Sequence, residues 1–591
     1  MKKKQYRSIA IMLCALLALS GCGGESSGEE PSSSDAAASE AAVTTTSTID
    51  TTSLFSDRDL EGTYDERAAI AITLNGDSAV CDDHAVTIEG SQIIIGAEGV
   101  YLLSGTLTDG QIVVNAGETD KVQLVLSGAD ITSSTSAAIY ALEADKVFVT
   151  LAEGTDNTLT NGGEYVAIDE NNIDAVIFAK TDLTLNGSGS LTINAQAGHG
   201  VVSKDDLVIT GGSYTITAAS HGLSGKDSVA IADGAFAITS GKDGIHSENA
   251  DDLSLGILYI ADGTYTIDAQ GDGVSAQGAL QIDGGTFDLY SGEGSASVDM
   301  TAGDNSGPMG GGPRGEMGAQ TEVTAAETEE ASVSQKGIKG ESTYAINGGV
   351  FDIDSADDCL HAGGAMTLAA GEFTLNSGDD AVHCDDALTI QSGTFTIPYC
   401  YEGIEGLSIT IEDGTFTITS NDDGLNAAGG ADSSGFGGFG GRPQDSFTAD
   451  SDSFITINGG TLTIVSSGDC VDSNGALTIN GGTLELTCNG NGDTALDCDG
   501  TYTNNGGDVS TNDGSEDNPG QMGGGKGGGG GGAMGELPDG EPPADLGPGP
   551  AEYGADGSNR ERIVDTPDSG SAQASAAVGT STTMPSPAAP I

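Results

Sequence analysis

Apolar and polar residues alternate in short segments along most of the chain, and these segments are of two kinds. One kind is an apolar-x-apolar triplet such as Leu183-Thr184-Leu185. The other follows a glycine turn and carries an aromatic residue, as in Phe395-Thr396-Ile397. Alternation over three to five positions is typical of a strand with one buried face, and Thr, Ile and aromatic residues suit that surface. The pattern predicts many short strands, with the Phe and Tyr residues packed in the core.

A third phrase recurs between these strands. It consists of an acidic residue or His, a tiny residue and an aliphatic residue, and it returns about every 22 residues. We call its first residue the lead position. The copies of the phrase are Asp174-Ala175-Val176, His199-Gly200-Val201, His221-Gly222-Leu223, Asp243-Gly244-Ile245, Asp272-Gly273-Val274, Asp358-Cys359-Leu360, Asp380-Ala381-Val382, Glu402-Gly403-Ile404, Asp423-Gly424-Leu425, Asp469-Cys470-Val471 and Thr494-Ala495-Leu496.

This period predicts the architecture. Three short strands per repeat are too few for a propeller blade, which needs about four strands in roughly 40 residues. They suit one coil of a parallel β-helix, in which each strand pairs with its counterpart about 4.8 Å away in the next repeat. The sequence therefore predicts an all-β fold, a single-stranded parallel β-helix, over residues 173–515. Residues 66–172 keep a looser period and are expected to form irregular coils that cap the helix.

The two ends of the chain have a different composition. Residues 1–21 carry a basic start and a short apolar run, which is typical of a signal peptide. Leu19-Ser20-Gly21-Cys22 resembles a bacterial lipobox, so we expect lipidation of Cys22 and a location on the extracellular face of the cell membrane. Residues 22–65 are rich in Ser, Glu, Ala and Thr, and residues 516–591 are rich in Gly, Pro and Ser. Both segments are expected to be disordered, the first as a tether.

Charge narrows the choice of partners. With 89 acidic and 19 basic residues, the chain has a net charge of −70 at pH 7. A field of this sign makes nucleic acid and anionic membrane surfaces poor partners, whereas divalent cations are good ones.

The repeated acids predict a bound cation. Stacked repeats would place successive lead carboxylates about 5 Å apart, where two charges repel by roughly 3 kcal/mol at an effective dielectric near 20. Ca²⁺ prefers oxygen ligands, so an ion between two repeats would relieve this repulsion. The alternative is a row of solvated edge charges. The predicted Ca²⁺ ligands are Asp243, Asp357, Asp358, Asp379, Asp380, Glu402, Glu405, Asp422, Asp423, Asp469 and Asp472.

The His residues alternate with acids along the repeats, so we do not expect them to cluster by themselves. Structural hydrogen bonding, metal ligation and contact with another ligand all stay open for them.

Insertions interrupt three repeats, at residues 247–255, 298–339 and 428–452. All three are expected to follow the lead phrase and to leave the fold beside the carboxylates, where insertions often frame a binding surface. The two longer ones are rich in Gly. Phe436 and Phe439 are candidates to stack on a sugar, and Arg314 and Arg442 to meet a substrate carboxylate. The alternative is a Gly-rich loop without a binding role.

The repeats and the lipobox together resemble a known family. Phrases such as Asp243-Gly244-Ile245-His246 and Asp423-Gly424-Leu425-Asn426, set between Gly-Gly-x-Phe-x-Ile strands, are similar to those of carbohydrate-binding, polysaccharide-lyase-like β-helix lipoproteins of clostridia and related bacteria. The resemblance covers residues 66–510. It implies a right-handed helix, bound calcium and binding of plant cell-wall polysaccharides such as cellulose and pectic acid.

We therefore expect a lipid-anchored, calcium-stabilised monomer that binds extracellular polysaccharide without cleaving it. One alternative is a calcium-dependent lyase or a glycoside hydrolase on the same fold. A lyase needs a base beside its cation, and Lys242, next to Asp243, is the best candidate. Repetition of the acids argues against a single active site. A further alternative is a structural or adhesive surface rod.

Overall fold

The computed structural model describes residues 49–519 except 253, 299, 301–333, 429–451, 491 and 518. These residues belong to one compact unit, Met1–Gly525. They are almost entirely β, with forty-three strands joined in one sheet and short helical segments at Thr51–Ser53, Asp57–Glu61 (α1), Ser295–Ser297 and Ser515–Asp517. The all-β prediction is confirmed. Within the described ranges, no helix is both long and apolar enough to cross a membrane.

The strands are short and follow one another closely. The first fifteen are β1 (Ile70–Gly76), β2 (Ala79–Val80), β3 (Val86–Glu89), β4 (Gln92–Ile95), β5 (Gly99–Leu107), β6 (Gln111–Asn115), β7 (Lys121–Ser133), β8 (Ile139–Glu143), β9 (Lys146–Leu151), β10 (Asp156–Asn161), β11 (Ala175–Ala179), β12 (Asp182–Gly187), β13 (Ser190–Ala195), β14 (His199–Ser203) and β15 (Asp206–Ile209). The next fifteen are β16 (Ser213–Ala218), β17 (Leu223–Gly225), β18 (Ser228–Ile231), β19 (Ala235–Ser240), β20 (Ile245–Ser247), β21 (Ile257–Ile260), β22 (Thr264–Ala269), β23 (Val274–Ala276), β24 (Leu280–Ile282), β25 (Thr286–Ser291), β26 (Ile338–Gly340), β27 (Tyr344–Ile346), β28 (Val350–Ser355), β29 (Leu360–Ala362) and β30 (Met366–Leu368). The last are β31 (Glu372–Ser377), β32 (Val382–Ile390), β33 (Thr394–Tyr399), β34 (Ile404–Ile411), β35 (Thr415–Thr419), β36 (Leu425–Ala427), β37 (Phe454–Ile457), β38 (Thr461–Ser466), β39 (Val471–Ser473), β40 (Ala476–Ile479), β41 (Thr483–Cys488), β42 (Tyr502–Asn504) and β43 (Asp508–Thr511).

Parallel pairing recurs with a step of three strands. Strand β12 pairs with β15 and β15 with β18, which aligns Leu183 with Leu207 and Leu207 with Val229. The same step joins β13, β16 and β19, and it joins β14, β17 and β20. Each strand thus pairs with its counterpart in the next repeat, and equivalent side chains form columns. Antiparallel pairing in the described part is confined to β1 with β2 and β3 with β4.

The aromatic residues form one such column in the core. From Tyr214 to Phe416 the rings are buried and stacked, with centroids 4.5–5.2 Å apart and interplanar angles of 4–11°. A glycine lies two residues before each of these rings. The turn there needs positive φ, and the ring leaves no room for a Cβ. Gly371, for example, has φ +142°, and a Cβ there would lie 2.8 Å from the ring of Phe373. Core packing of these aromatic residues is confirmed.

The segment before the sheet differs from the expected tether of residues 22–65. Ser56 begins α1 with a capping box, in which Ser56 Oγ accepts the backbone N–H of Asp59 and Asp59 Oδ2 accepts the backbone N–H of Ser56. Asp59 is buried, 2.8 Å from Lys146 Nζ, and accepts a 2.6 Å hydrogen bond from the Thr184 hydroxyl. The prediction of disorder is therefore wrong for residues 49–65, because α1 packs on the sheet through a buried ion pair.

Strand register corrects two details of the repeats. Ala175, and not Asp174, aligns with His199, so Asp174 lies one residue outside the column of lead residues. Residues 336–340 do not belong to the insertion predicted at 298–339, because Ile338 pairs with Val274 and Leu360. Lys336-Gly337-Ile338 is a further copy of the phrase with a basic lead residue. That insertion therefore precedes its lead phrase, whereas the other two follow theirs.

Candidate functional site

The lead residues share one structural role. The column they form, which we call the lead column, is defined by strand register and comprises His199, His221, Asp243, Asp272, Lys336, Asp358, Asp380, Glu402, Asp423, Asp469 and Thr494. Repeatedly, a lead side chain accepts the backbone N–H of the next lead residue. Asp243 Oδ1 accepts from Asp272 at 3.0 Å, Asp358 Oδ1 from Asp380 at 3.1 Å, and His221 Nδ1 from Asp243 at 3.2 Å.

This bond explains why Asp and His alternate there. Oδ1 of Asp and Nδ1 of His both lie one bond beyond Cγ, so either atom reaches the same N–H. The repeated acid is therefore first a means of satisfying buried backbone donors. The second carboxylate oxygen is left for another side chain: Asp358 Oδ2 lies 2.7 Å from Lys336 Nζ, and Asp243 Oδ2 lies 2.7 Å from His246 Nδ1.

Around Lys336 the chain supplies its own cation. Lys336 Nζ lies 2.9 Å from Asp357 Oδ1 and 2.7 Å from Asp358 Oδ2, and all three side chains are buried. Burial acts to raise the pKa of Asp358, but Lys336 and His361 outweigh it and hold that pKa well below its usual range. Asp379 also approaches this pair of carboxylates. The ammonium thus compensates part of the charge of these carboxylates.

One repeat further, an imidazole joins the carboxylates. His383 Nδ1 lies 3.0 Å from Asp380 Oδ2 and 2.8 Å from Glu405 Oε2, and its Nε2 lies 3.1 Å from Asp385. Burial acts to lower the pKa of His383, but these carboxylates outweigh it and raise the pKa well above its usual range. A protonated His383 therefore neutralises part of this cluster.

The last repeats bring carboxylates together. Oxygens of Asp469, Asp472 and Asp497 lie within 4.8 Å of one another. Burial, and then the charges of Asp472 and Asp497, raise the pKa of Asp469 to about 7. Asn426 aligns with Asp472, and its Oδ1 is buried without a hydrogen-bond donor in the described part of the chain. Carboxylate and amide oxygens are the ligand atoms that Ca²⁺ prefers.

A second surface has the opposite character. Strands β33, β35 and β38 contain no charged residue and alternate buried side chains with outward Thr. Parallel register aligns Thr394 with Thr415 and Thr461, and it aligns Thr396 with Thr417 and Thr463. We call these outward side chains the threonine face: Thr394, Thr396, Tyr399, Thr415, Thr417, Thr419, Thr461 and Thr463.

The edge of the threonine face is concave. A shallow groove of about 460 Å³ runs across the glycine turns that precede the three strands. Its lining residues are Ser392, Gly393, Thr394, Asp413, Gly414, Thr415, Gly460 and Thr461. On the same strands, the ring of Tyr399 is 41% exposed. Hydroxyls in register beside an exposed aromatic ring are groups that contact sugars.

Comparison with known proteins assigns the chain to a family. The model of the carbohydrate-binding domain-containing protein family matches residues 89–381 and 379–517, which is more than half of the 591 residues. The chain belongs to this family. The predicted resemblance to carbohydrate-binding, lyase-like proteins is thereby confirmed.

The chain is similar to two known proteins. A carbohydrate-binding domain-containing protein of Acetivibrio thermocellus is 38% identical over 150 residues, which are 25% of this chain and 52% of the relative. The chain thus spans about half the length of that curated relative. The solved structure of a polysaccharide lyase-like protein from C. thermocellum, a gadolinium derivative, is 34% identical over 37% of this chain and 90% of its own, with a TM-score of 0.35.

The residues predicted as Ca²⁺ ligands of this chain fall into separate groups. Asp357, Asp358 and Asp379 lie together, as do Asp380 and Glu405 with His383, Asp469 and Asp472 with Asp497, and Asp243 with His221 and His246. Glu402, Asp422 and Asp423 join none of these groups of three in the described part. Cys22, Arg314, Phe436, Phe439 and Arg442 lie outside the described residues, as do the signal peptide and nearly all of the tail.

Sequence reasoning missed two features of the site. Lys336 was hidden because the insertion ends directly before it, although Lys-Gly-Ile matches the phrase. A further acidic group, Asp182 with Asp205 and Asp206, lies at the start of β12 and β15. Burial and the neighbouring charges raise the pKa of Asp205 to about 6. The signal available was an Asp directly before each Leu of two successive triplets.

Proposed function

We propose that the protein is a lipid-anchored binder of extracellular, plant cell-wall-type polysaccharide, built on a right-handed single-stranded parallel β-helix that calcium stabilises. Membership of a carbohydrate-binding domain family supports the ligand class. Parallel pairing of each strand with the next repeat supports the helix. The proposal also includes attachment through Cys22, a monomeric state and a location on the extracellular face of the membrane. These three parts rest on the sequence.

The threonine face is the observation that carries this function. In a chain with 89 acidic residues, three adjacent strands expose only uncharged side chains. Their hydroxyls recur about 4.8 Å apart between strands and about 6.6 Å apart along a strand. A sugar polymer also presents hydroxyls at regular intervals, so several hydrogen bonds form at once when a chain lies on this face. Tyr399 adds an apolar ring with a polar edge, which suits a sugar plane.

Calcium fits the donors of the last repeats. Asp469, Asp472 and Asp497 would hold the ion, and the Asn426 amide oxygen lies in the adjacent repeat. The ion would supply charge compensation there, as Lys336 supplies it around Asp357 and Asp358. A calcium-dependent lyase is the second candidate on the same fold. We favour binding without cleavage, because lead carboxylates repeatedly accept backbone N–H groups, which is a structural use.

Retention on insoluble cellulose and xylan and on immobilised pectate tests the proposal. The mature chain without its lipid anchor is compared with the variant Thr396→Val/Thr417→Val/Thr463→Val, which removes three hydroxyls and keeps β-branched side chains. We expect the variant to lose at least tenfold in affinity for the retained glycan. The matched control is Thr215→Val/Thr239→Val/Thr266→Val, which alters exposed threonines on the equivalent strands β16, β19 and β22. That control should keep the affinity of the unmodified protein.

The supernatants are assayed for new reducing ends and for unsaturated products. Retention without either product supports a binder. Either product would establish the lyase or hydrolase alternative. No retention on any of the three glycans would contradict the proposal and leave the structural rod.

A further inference from the structure

Three imidazoles stack near the beginning of the lead column. The rings of His199 and His221 have centroids 5.0 Å apart at 9°, and those of His221 and His246 have centroids 4.2 Å apart at 19°. His199 and His221 are lead residues of successive repeats, whereas His246 lies three residues after the lead residue Asp243. The expectation that His residues do not cluster is therefore wrong, because register brings residues about 22 positions apart into contact.

Two of these imidazoles converge on one carboxylate oxygen. Asp243 Oδ2 lies 3.3 Å from His221 Nδ1 and 2.7 Å from His246 Nδ1. The side chains are 12%, 13% and 18% exposed for Asp243, His221 and His246, so the group is sheltered and can still be reached from solvent. Asp243 Oδ1 is already used by the N–H of Asp272. Asp243 Oδ2 and the Nδ1 atoms of His221 and His246 therefore remain as three possible metal ligands.

Without a metal ion, His221 Nδ1 has an unfavourable contact with Asp243 Oδ2. Its Nδ1 accepts the backbone N–H of Asp243 at 3.2 Å, so that nitrogen carries a lone pair and no proton. It therefore donates nothing to Asp243 Oδ2, and two lone pairs face each other across 3.3 Å. A cation between the two atoms would remove this repulsion. The lone pair of His221 Nδ1 would then bind the ion and would no longer accept the Asp243 N–H. The hydrogen bond lost in this way is already long, at 3.2 Å.

His246 is held as metal-ligating imidazoles usually are. Its second nitrogen, Nε2, lies 3.1 Å from Glu248 Oε2. A carboxylate on the far nitrogen orients the ring and makes the near nitrogen a better ligand. Glu248 follows directly after β20, which ends at Ser247, so the backbone directs both residues to the same edge.

We propose that His221, Asp243 and His246 bind a first-row divalent transition ion of the Zn²⁺ class, with Glu248 orienting His246. Two imidazoles and one carboxylate suit such ions, whereas Ca²⁺ prefers six to eight oxygens. In a tetrahedral site with bonds near 2.05 Å, donors are about 3.3 Å apart. The His221–Asp243 separation of 3.3 Å already matches this, and His246 must withdraw by roughly half an ångström.

The site is separate from the calcium cluster and joins two successive repeats, those led by His221 and Asp243. It does not depend on glycan binding. The ion would hold these repeats together, and it leaves a coordination position open to solvent.

Titration of the tag-free, chelator-treated mature chain with Co²⁺ tests the proposal. We expect visible absorption typical of four-coordinate Co²⁺ that saturates at one equivalent. Zn²⁺ should displace the Co²⁺, and millimolar Ca²⁺ should not. His246→Gln should weaken binding at least a hundredfold, and Glu248→Gln about tenfold, as for outer-shell partners generally.

The matched control is His361→Gln, which alters the equivalent position of a different repeat. It should leave the Co²⁺ titration unchanged. Glu248 is half exposed, so its variant folds even if the His246 variant does not. Absence of a Co²⁺ band, or equal affinity of the unmodified, His246→Gln and Glu248→Gln proteins, would overturn the proposal.

Discussion

The threonine face and the lead column are built on the same repeats and have opposite chemistry. On the threonine face, the outward positions of β33, β35 and β38 carry hydroxyls, and these strands contain no charge. In the lead column, Asp, Glu, His and Lys follow one another, and the clusters around Asp358 and Asp380 contain a cation that the chain itself supplies. Lys336 compensates part of the charge of Asp357 and Asp358, and His383 compensates part of that of Asp380 and Glu405.

This difference follows from the different structural constraints on lead residues and on outward residues. A lead residue must reach the next backbone N–H, so its type is restricted and its charge has to be compensated locally. An outward residue of β33, β35 or β38 makes no such bond, so its type can follow the ligand. Changes in the lead column should therefore alter stability, and changes on the threonine face should alter binding.

The largest expected effect on stability comes from Lys336→Met. This change leaves Asp357 and Asp358 buried without their ammonium, which should lower the free energy of unfolding by about 3–5 kcal/mol. Chemical denaturation monitored by circular dichroism measures it. The control Lys226→Met breaks an exposed pair with Asp251, so it should leave the free energy of unfolding nearly unchanged. Equal effects of the two changes would contradict the role assigned to Lys336.

Removal of calcium should have the next largest effect. If the ion is present at about 100 times its dissociation constant, chelation should cost about 2.7 kcal/mol and lower the melting temperature. Asp472→Asn should abolish most of this calcium-dependent part, because it removes one charged ligand. Asp268→Asn, on the exposed side of β22, is the control. A melt that chelator does not change, together with no calcium by elemental analysis, would contradict the calcium assignment.

Acid should release α1 before it unfolds the sheet. Burial acts to raise the pKa of Asp59, but Lys146, Ser56 and Thr184 outweigh it and hold the pKa below its usual value. A carboxyl whose pKa is lowered in the fold adds stability above its unfolded value. That stability is lost as the pH falls from about 4 through the folded pKa. Hydrogen exchange of residues 57–61 measures the release, and in Asp59→Asn the exchange should be fast already at neutral pH.

Much of the fold could be predicted from the sequence, because strands with one buried face repeat with a period of two. The triplet Leu183-Thr184-Leu185 and the aromatic column lie where this pattern places them. The register of Asp174 could not be predicted, because a shift of one residue shows only when the neighbouring strand is paired. Lys336 was missed because an insertion hides the period directly before it.

The candidate site was less predictable than the fold. Sequence predicted that acids would stack, but not that one oxygen of each repeated Asp accepts a backbone N–H. The neutralising roles of Lys336 and His383 depend on distances of about 3 Å, which register and rotamers decide. The threonine face was not predicted, because Thr is common on the exposed side of any strand and the adjacent strands β13, β16 and β19 are uncharged too. The groove and the exposed ring of Tyr399 mark this face, and they emerge only when the strands are paired.

The smallest expected effect on stability is that of the threonine variants, which should change the free energy of unfolding by less than about 0.5 kcal/mol. Denaturation curves of Thr396→Val/Thr417→Val/Thr463→Val and of its control should therefore coincide. A loss of several kcal/mol would show that these hydroxyls stabilise the sheet.

A spin label on the threonine face tests the central claim most directly. The label is attached at Thr417→Cys or, as control, at Thr215→Cys, in a Cys81→Ser background because the other six cysteines of the described part are buried. Electron paramagnetic resonance is recorded with and without the glycan that retains the protein. We expect glycan to immobilise the label at 417 and to leave the label at 215 unchanged. Immobilisation at 215 alone, or no change at 417 while the protein is bound, would contradict the central claim.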